Sequence, residues 1–214
     1  MAQNPEACRL YLITPDEIAD LGAFASLLDE ALAAGDVACV QLRLKGVEDD
    51  EIINAARTLM PICHKYDVAF FINDRADIAA EVDADGVHLG QDDGDVPSAR
   101  TLLGHNKDIG VTCHDSLHLA YKAGEEGANY VAFGAFFPSD TKMTEHQPDL
   151  DLLSVWDEVT EVPCVAIGGI TPENCGELAE AGAHFVAVCG GVWNHLEGPA
   201  AAVRAFNEAL GFSE

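Results

Sequence analysis

Carboxylates follow two consecutive apolar segments in the first half of the chain. Asp74 ends the segment 70–74, and Asp92 and Asp93 come just after the apolar segment 85–89. If the two segments are neighbouring parallel strands, these carboxylates emerge at the same edge of a sheet. Carboxylate oxygens suit Mg²⁺, which in turn suits a phosphorylated substrate. The pattern predicts a metal site, and the alternative is that each Asp merely caps a helix.

Basic side chains are scarce, so a Lys or Arg at a strand end is informative. The chain has 11 Lys and Arg against 37 Asp and Glu, a net charge of −26. Gln41, Arg43 and Lys45 alternate with apolar residues, and a period of two places them on one face of a strand. Two cations on that face predict binding of an anion. A solvated strand end is the alternative.

Polar groups also follow the later strand-like segments. Thr112 offers a hydroxyl after the fifth, and the long polar segment 134–146 after the sixth resembles a functional lid more than a surface loop. Glycine pairs at 168–169 and 190–191 follow the last two segments, where bare backbone N–H groups could reach a phosphate. Together these positions predict a pyrophosphate site beside a monophosphate site. A transfer reaction that releases pyrophosphate would need both.

Strand-like and helical segments alternate eight times, which predicts a single-domain (β/α)₈ TIM barrel over residues 1–214. The predicted strands are 8–13, 37–43, 68–72, 85–89, 108–112, 129–134, 163–167 and 184–189. The predicted helices are 16–34, 48–65, 75–82, 97–103, 115–126, 149–159, 172–181 and 198–210. A doubly wound open sheet is the alternative, but no Gly-x-Gly-x-x-Gly follows the first strand.

Composition excludes several classes of partner. The net charge of −26 argues against nucleic acid and against an anionic membrane surface. No apolar run approaches the length of a membrane helix, and no signal peptide is evident. Seven scattered cysteines without a Cys-x-x-Cys pair indicate free thiols in a reducing cytoplasm, rather than a disulfide framework or a zinc site. We interpret Cys113 as a buried structural thiol rather than a nucleophile. We interpret His88, which lies in an apolar strand, as a hydrogen-bonded core residue rather than a ligand.

Five segments together carry a resemblance to a known family. The runs VQLRLKG, FINDRADIA, ADGVHLGQDD, FFPSDTK and IGGIT occur in this order along the chain. In order and spacing the chain resembles the thiamine-phosphate synthase family over nearly its whole length. The resemblance implies a (β/α)₈ barrel that joins hydroxymethylpyrimidine diphosphate to hydroxyethylthiazole phosphate, with Mg²⁺ as cofactor. These small molecules would be its partners, and barrel enzymes of this size are often homodimers.

The resemblance also implies roles for individual residues. It implies Mg²⁺ ligation by Asp74 and Asp93, with Asp92 as a solvated neighbour or an acid at the start of a helix. It implies that four side chains contact the diphosphate: Arg43, Lys45, Asn73 and Lys142. The three cationic side chains among them are the expected catalytic groups. The pyrimidine would meet Gln41 and Thr112, the latter at a position where family members carry Ser.

The thiazole phosphate is expected near hydroxyls of the long loop and glycines at the ends of the last strands. The resemblance implies these contacts: Ser139, Thr141, Gly168, Cys189 and Gly190. Two positions depart from the family pattern. Ser139 replaces a Thr, and Cys189 stands where the family often has a Ser, which leaves backbone donors alone to hold the phosphate.

The resemblance also implies a dissociative loss of pyrophosphate, which the cations and the metal would assist and which requires no catalytic base. Three alternatives remain open. A thiazole tautomerase-type paralogue would need neither a metal nor a diphosphate site. Another phosphate-binding barrel isomerase or lyase would need a buried Lys or Glu base. A non-catalytic phosphometabolite-binding barrel would fit the altered loop after the eighth strand.

Overall fold

Short apolar segments form eight parallel strands that close into a barrel, in a computed structural model that describes residues 8–138 and 147–212. The strands are β1 (Arg9–Ile13), β2 (Cys39–Leu42), β3 (Ala69–Asn73), β4 (Gly86–Leu89), β5 (Asp108–His114), β6 (Tyr130–Gly134), β7 (Cys164–Ile167) and β8 (Phe185–Val188). Each strand pairs with the next, and β8 pairs with β1. The (β/α)₈ barrel is therefore confirmed, and the open sheet is excluded.

Amphipathic helices surround the barrel. Within the described residues they are α1 (Leu21–Leu32), α2 (Asp49–Lys65), α3 (Ala76–Val82), α4 (Val96–Leu103), α5 (Leu117–Glu125), α6 (Asp151–Val159), α7 (Cys175–Glu180), α8 (Gly190–Trp193) and α9 (Pro199–Ala209). Side-chain caps fix several starts, because an Asp or Ser oxygen accepts a free N–H of the first turn. Asp20, Asp95 and Ser116 cap α1, α4 and α5 in this way.

Apolar side chains form two separate clusters. The larger lies between strands and helices and includes the fully buried Phe70, Phe133 and Trp156. The smaller fills the barrel with residues of alternating strand positions, among them Tyr11 and Tyr130. The period of two along each strand separates the clusters, since neighbouring residues point to opposite faces. The barrel interior formed by the described residues is thus a packed core, and we expect a ligand at its mouth.

The first helix begins later than the sequence predicts. A start at residue 16 was expected, but α1 begins at Leu21, where Asp20 accepts a hydrogen bond from Ala23 N at 2.9 Å. The segment before it belongs to the barrel mouth, because the Asp16 carbonyl accepts a hydrogen bond from Lys45 N at 3.0 Å. A contact between loops therefore overrides a local helix-start pattern.

The last two loops also differ from expectation. Helix α7 begins at Cys175 rather than 172, because Asn174 Oδ1 accepts Thr171 N at 2.8 Å and forms a turn first. The four-residue helix α8 follows β8 and was not predicted.

All seven cysteines are free thiols, six of them buried. Burial raises the pKa of Cys113 to about 12, which agrees with a structural thiol. In the part of the chain that the structure describes, no helix is both long and apolar enough to cross a membrane.

Candidate active site

Asp74 lies directly after β3 in a conformation that only a specific environment would hold. Its φ is +66°, in the left-handed region that a non-glycine residue rarely adopts. Its N–H donates to the His88 carbonyl at 2.7 Å, which ties the ends of β3 and β4 together. Helix α3 begins at Ala76 without a side-chain cap. Asp74 is therefore not a helix cap, and backbone strain of this kind is typical of functional sites.

The carboxylates of Asp74 and Asp93 meet at the barrel mouth. Partial desolvation, together with the charge and hydrogen-bonding contact of Asp74, raises the pKa of the exposed Asp93, while the Lys45 charge opposes that rise. Lys45 forms an ion pair with Asp74. Gly90 makes room for the arrangement, since a Cβ at that position would overlap the Asp93 carboxylate. The sequence-predicted metal residues and one predicted cation are thus in mutual contact.

Gln41 in β2 and the two cations that follow it, Arg43 and Lys45, point in different directions. Lys45 turns toward β3, whereas Arg43 lies near the end of β8, where its charge opposes the burial-raised pKa of Cys189. Gln41 is buried and points into the barrel, where its Nε2 donates to Tyr11 Oη at 3.0 Å. The predicted face is therefore shared between the rim and the interior of the barrel.

A continuous hydrogen-bond chain crosses the barrel beneath the mouth. Gln41 contacts Tyr11, and Tyr11 Oη lies 2.9 Å from Tyr130 Oη. Tyr130 Oη lies 3.0 Å from His88 Nδ1, and His88 Nε2 lies 2.8 Å from Thr112 Oγ1. The chain thus joins Gln41 and Thr112, the two residues for which the family resemblance implies contacts with the pyrimidine. His88 is confirmed as a hydrogen-bonded core residue.

Sequence reasoning missed Tyr11 and Tyr130 as parts of the site. The only signal was the residue type: a buried Tyr usually finds a partner for its hydroxyl. Burial raises the pKa of both phenols, and it lowers the pKa of His88 to about 4 against the raising effect of Asp74. At neutral pH the whole chain therefore consists of uncharged groups.

Glycines shape the opposite side of the mouth. Gly168 has a φ of +104°, and a Cβ there would overlap Ala135. Gly191 approaches the Ile170 carbonyl, which would lie 2.6 Å from an added Cβ. Close loop packing therefore requires glycine at both positions, whether or not a phosphate binds there.

The end of β8 leads into α8 through Cys189, whose Sγ donates to the Thr14 carbonyl at 3.6 Å. The N–H groups of Gly190 and Gly191 open that helix, where no intrahelical acceptor exists for them. At the end of β3, Asn73 is half-buried beside the carboxylates. Ser139, Thr141 and Lys142 lie outside the described residues. Within 8–138 and 147–212, no group of three or more His, Cys, Asp or Glu is placed to hold a metal.

Known proteins resemble this chain over almost its whole length. The thiamine monophosphate synthase family matches residues 10–192. The thiamine-phosphate synthase of Rhodospirillum centenum is 58% identical over 203 residues, covering 95% of this chain and 98% of the relative. That of Hyphomonas neptunium is 52% identical over 212 residues, covering 96% and 95%. The solved thiamine phosphate pyrophosphorylase of Pyrococcus furiosus superposes with a TM-score of 0.84 at 31% identity, with 96% of each chain covered. The chain belongs to the thiamine monophosphate synthase family.

Proposed function

We propose that this protein joins hydroxymethylpyrimidine diphosphate to hydroxyethylthiazole phosphate and releases thiamine phosphate and pyrophosphate. The observation that carries the proposal is the contact of Asp74, Asp93 and Lys45 at the barrel mouth. This cluster lies beside the chain that ends in Gln41 and Thr112, so an anion site adjoins a polar pocket. Relatives named thiamine-phosphate synthase, identical at more than half of the matched positions, support the same reaction.

We infer that Asp74 and Asp93 hold Mg²⁺. Two carboxylates at one rim fit the ion, which prefers oxygen ligands, keeps several waters and commonly takes its remaining ligands from phosphate. The raised pKa of Asp93 supports this inference, because two adjacent carboxylates lack enough positive charge between them. When bound, the ion would neutralise negative charge on the diphosphate.

The reaction breaks the bond between the pyrimidine methylene carbon and the diphosphate oxygen. Negative charge accumulates on the leaving pyrophosphate, and Arg43, Lys45 and Lys142 are proposed to stabilise it. Asn73 adds an uncharged amide beside the metal ligands. The electron pair of the broken bond leaves with the pyrophosphate, so no proton needs to move at this step.

The thiazole nitrogen then supplies its lone pair to the methylene carbon. It carries no proton to lose, which explains why the mechanism requires no general base. We propose that the thiazole phosphate is held by backbone N–H groups at Gly168, Cys189 and Gly190, with the hydroxyls of Ser139 and Thr141. Binding at a fixed distance from the pyrimidine would supply much of the rate enhancement.

A thiazole tautomerase-type paralogue is disfavoured by the carboxylate pair and its Lys45 contact, for which proton transfer on a thiazole has no use. A non-catalytic phosphometabolite-binding barrel would bind phosphate without turnover. We further propose a cytoplasmic location, with which seven free thiols agree. A homodimer stays a prediction, which light scattering after size exclusion tests.

Release of pyrophosphate from the two substrates, with Mg²⁺ and with EDTA, separates these functions. We expect turnover only with Mg²⁺ and both substrates. Lys45→Ala should lower kcat roughly 100-fold, as loss of one transition-state contact does elsewhere. Lys65→Ala is the matched control, because Lys65 pairs with Asp29 on the helical surface. Metal-independent turnover, or full activity of Lys45→Ala, would contradict the proposal.

A further inference from the structure

We propose that Arg75 is a positioning residue, which holds Asp74 and Lys45 in place by tying together the two loops that carry them. Its guanidinium forms ion pairs with Asp49 and Asp77. These three residues, Arg75, Asp49 and Asp77, are called the arginine clamp below. The inference rests on the proposed function, because it concerns the residues proposed to bind the metal and the diphosphate.

An arginine is an unexpected residue where Arg75 stands. It directly precedes Ala76, the first residue of α3, and its side chain does not cap the helix. Free N–H groups and the helix dipole make a helix start electropositive, so a hydroxyl or an acid is favoured there and a cation is not. The chain also has only 11 Lys and Arg. Local preferences are broken most often at functional positions, so this cation needs a reason that lies outside α3.

The guanidinium of Arg75 forms two forked contacts at once. Nη1 and Nη2 donate to the two carboxylate oxygens of Asp49, the first residue of α2, with Nη2 at 2.8 Å. Nε and Nη2 donate to the two oxygens of Asp77, in the first turn of α3, at 2.9 and 2.7 Å. One planar group therefore fixes the starts of two helices relative to each other, which the single ammonium of a lysine could not do.

The arginine clamp is partly exposed, which limits what it can add to stability. The Arg75 side chain is 36% exposed and each Asp side chain 57%. A single exposed ion pair contributes little, but forked pairs that share one guanidinium have a defined geometry. We therefore expect the clamp to act on the placement of its neighbours rather than on the free energy of unfolding.

The clamp lies beside the ion pair between Lys45 and Asp74. Lys45 lies in the segment 43–48, which forms neither helix nor strand and leads directly to Asp49. Asp74 directly precedes Arg75. Two ion pairs of opposite direction therefore join the same two loops, one from Lys45 to Asp74 and one from Arg75 to Asp49.

A second link is needed because Lys45 and Asp74 are themselves proposed to bind ligands. Their own ion pair cannot hold the loops while they contact the diphosphate and the metal, whereas the arginine clamp uses other acids. Asp74 also has a φ of +66°, a conformation that persists only when its surroundings hold it. The clamp, at the next residue, supplies such a restraint and so keeps the Asp74 carboxylate at the mouth.

Amide hydrogen exchange, followed by NMR, tests the clamp without any turnover. The Asp74 N–H donates to the His88 carbonyl, and the Ala84 N–H, at the other end of α3, donates to the Ala79 carbonyl. In Arg75→Ala we expect exchange at Asp74 to be roughly tenfold faster and exchange at Ala84 to be unchanged. Acceleration at both amides, or at neither, would overturn the inference. No substrate or metal is present, so this outcome is separate from the success or failure of the proposed reaction.

Arg57→Ala is the matched control. Arg57 joins the same two helices through Glu81 at 3.3 Å, about two turns further along α2 from the mouth. This variant should leave the exchange at Asp74 and the kinetics unchanged. An equal effect of Arg57→Ala would show that any ion pair between α2 and α3 suffices, which would also overturn the inference.

The kinetics of Arg75→Ala should separate positioning from a structural role. We expect kcat to fall roughly tenfold, since even a displacement of about 1 Å can cost up to about 100-fold in rate. KM for the thiazole phosphate should be unchanged, because its proposed site lies at the ends of β7 and β8. Tm should fall by no more than about 3 °C. A kcat equal to that of the original protein would contradict the proposal, as would a higher KM for the thiazole phosphate.

A double-mutant cycle identifies the link that matters. Asp49→Asn opens the same bridge, so Arg75→Ala combined with Asp49→Asn should lose no more kcat than the weaker single variant. Asp50→Asn is the control, because Asp50 is exposed in the same first turn of α2. If Arg75→Ala does not fold, Asp49→Asn alone is measured by exchange and kinetics. Additive losses, or full activity of Asp49→Asn, would overturn the inference.

Discussion

In the site, the carboxylates of two residues, Asp74 and Asp93, repel each other. Partial desolvation and the neighbouring carboxylate raise the pKa of Asp93 in the folded protein, although its side chain is exposed. A carboxyl with a raised pKa stabilises the fold only while it is protonated. Its contribution is present at low pH and is lost as pH rises through the raised value. Above that raised pKa, ionised Asp93 therefore works against folding, because its charge faces the Asp74 carboxylate.

Asp93→Asn should consequently separate stability from activity. Without Mg²⁺ at pH 7.5, we expect its Tm to exceed that of the original protein by about one degree, because the repulsion is gone but solvent screens much of it at this exposed position. Its kcat should fall roughly 100-fold or more, since the proposed Mg²⁺ site would lose a ligand. Calorimetry in EDTA and the pyrophosphate assay measure the two effects. Asp92→Asn, at an exposed neighbouring position, is the control and should change neither. A lower Tm in Asp93→Asn would refute the repulsion.

Replacing the sulfur atom of Cys189 by oxygen tests how the thiazole phosphate is held. The thiol is a weak donor and already directs itself to the Thr14 carbonyl at 3.6 Å. Cys189→Ser supplies the hydroxyl that family members often have there. We expect KM for the thiazole phosphate to fall by about two- to tenfold, the effect of one added hydrogen bond. KM for the pyrimidine diphosphate serves as the internal control. An unchanged thiazole KM would mean that the backbone alone holds the phosphate.

Glycines in β4 and β5 leave room for aromatic rings from the adjacent strands β3 and β6. A Cβ at Gly86 would lie 2.7 Å from the Phe71 ring, and one at Gly110 would overlap the Tyr130 ring. Those rings fill the barrel interior and stack on each other. The hydrogen-bond chain therefore depends on residues that have no side chain.

Gly110→Ala should destabilise the protein by about 1–3 kcal/mol, the usual cost of overpacking a core. Urea unfolding measures this loss. Gly176→Ala in α7 is the matched control, because a Cβ there meets nothing within 4 Å. That control should be as stable as the original or gain up to about 1 kcal/mol from helix propensity. Equal stabilities of the two variants would show that the interior can absorb a methyl group.

Elements with a strong period were predictable, and their junctions were not. All eight strands lie where the apolar, β-rich runs predict them, to within a few residues. The start of α1 was misplaced because the pattern around Thr14 competes with a contact between loops that only the closed barrel creates. The helix at Gly190–Trp193 is one turn long, too short for any period to be detected.

The site residues, too, were predictable only in part. Asp74, Asp93 and Lys45 could be grouped because each follows a strand, and barrel strands end at one rim. Tyr11 and Tyr130 could not, since 119 positions separate them and their contact exists only across the closed interior. In the sequence both look like ordinary strand aromatics. Predicting the chain would have required the strand stagger, which fixes the side chains that share a layer.

For the whole molecule, charge is the unusual property. With 11 Lys and Arg against 37 Asp and Glu, 26 acids are in excess. Surface pairs such as Arg57–Glu81 and Lys65–Asp29 use several of the available cations. Exposed ion pairs of this kind contribute little to the free energy of unfolding. The remaining acids repel one another, which favours a dissolved protein but weakens the compact state.

Added salt should therefore stabilise this protein. Raising NaCl from about 20 mM to about 300 mM shortens the screening length from about 20 Å to about 6 Å. We expect a gain of about 1 kcal/mol, or about 2–4 °C in Tm, for a chain of this size. EDTA excludes binding of divalent ions, and KCl at equal ionic strength should give the same gain. Asp93→Asn should gain nearly as much, because the repulsion is spread over the surface rather than held at the metal site. A Tm that stays flat or falls with salt would show that local ion pairs outweigh the net charge.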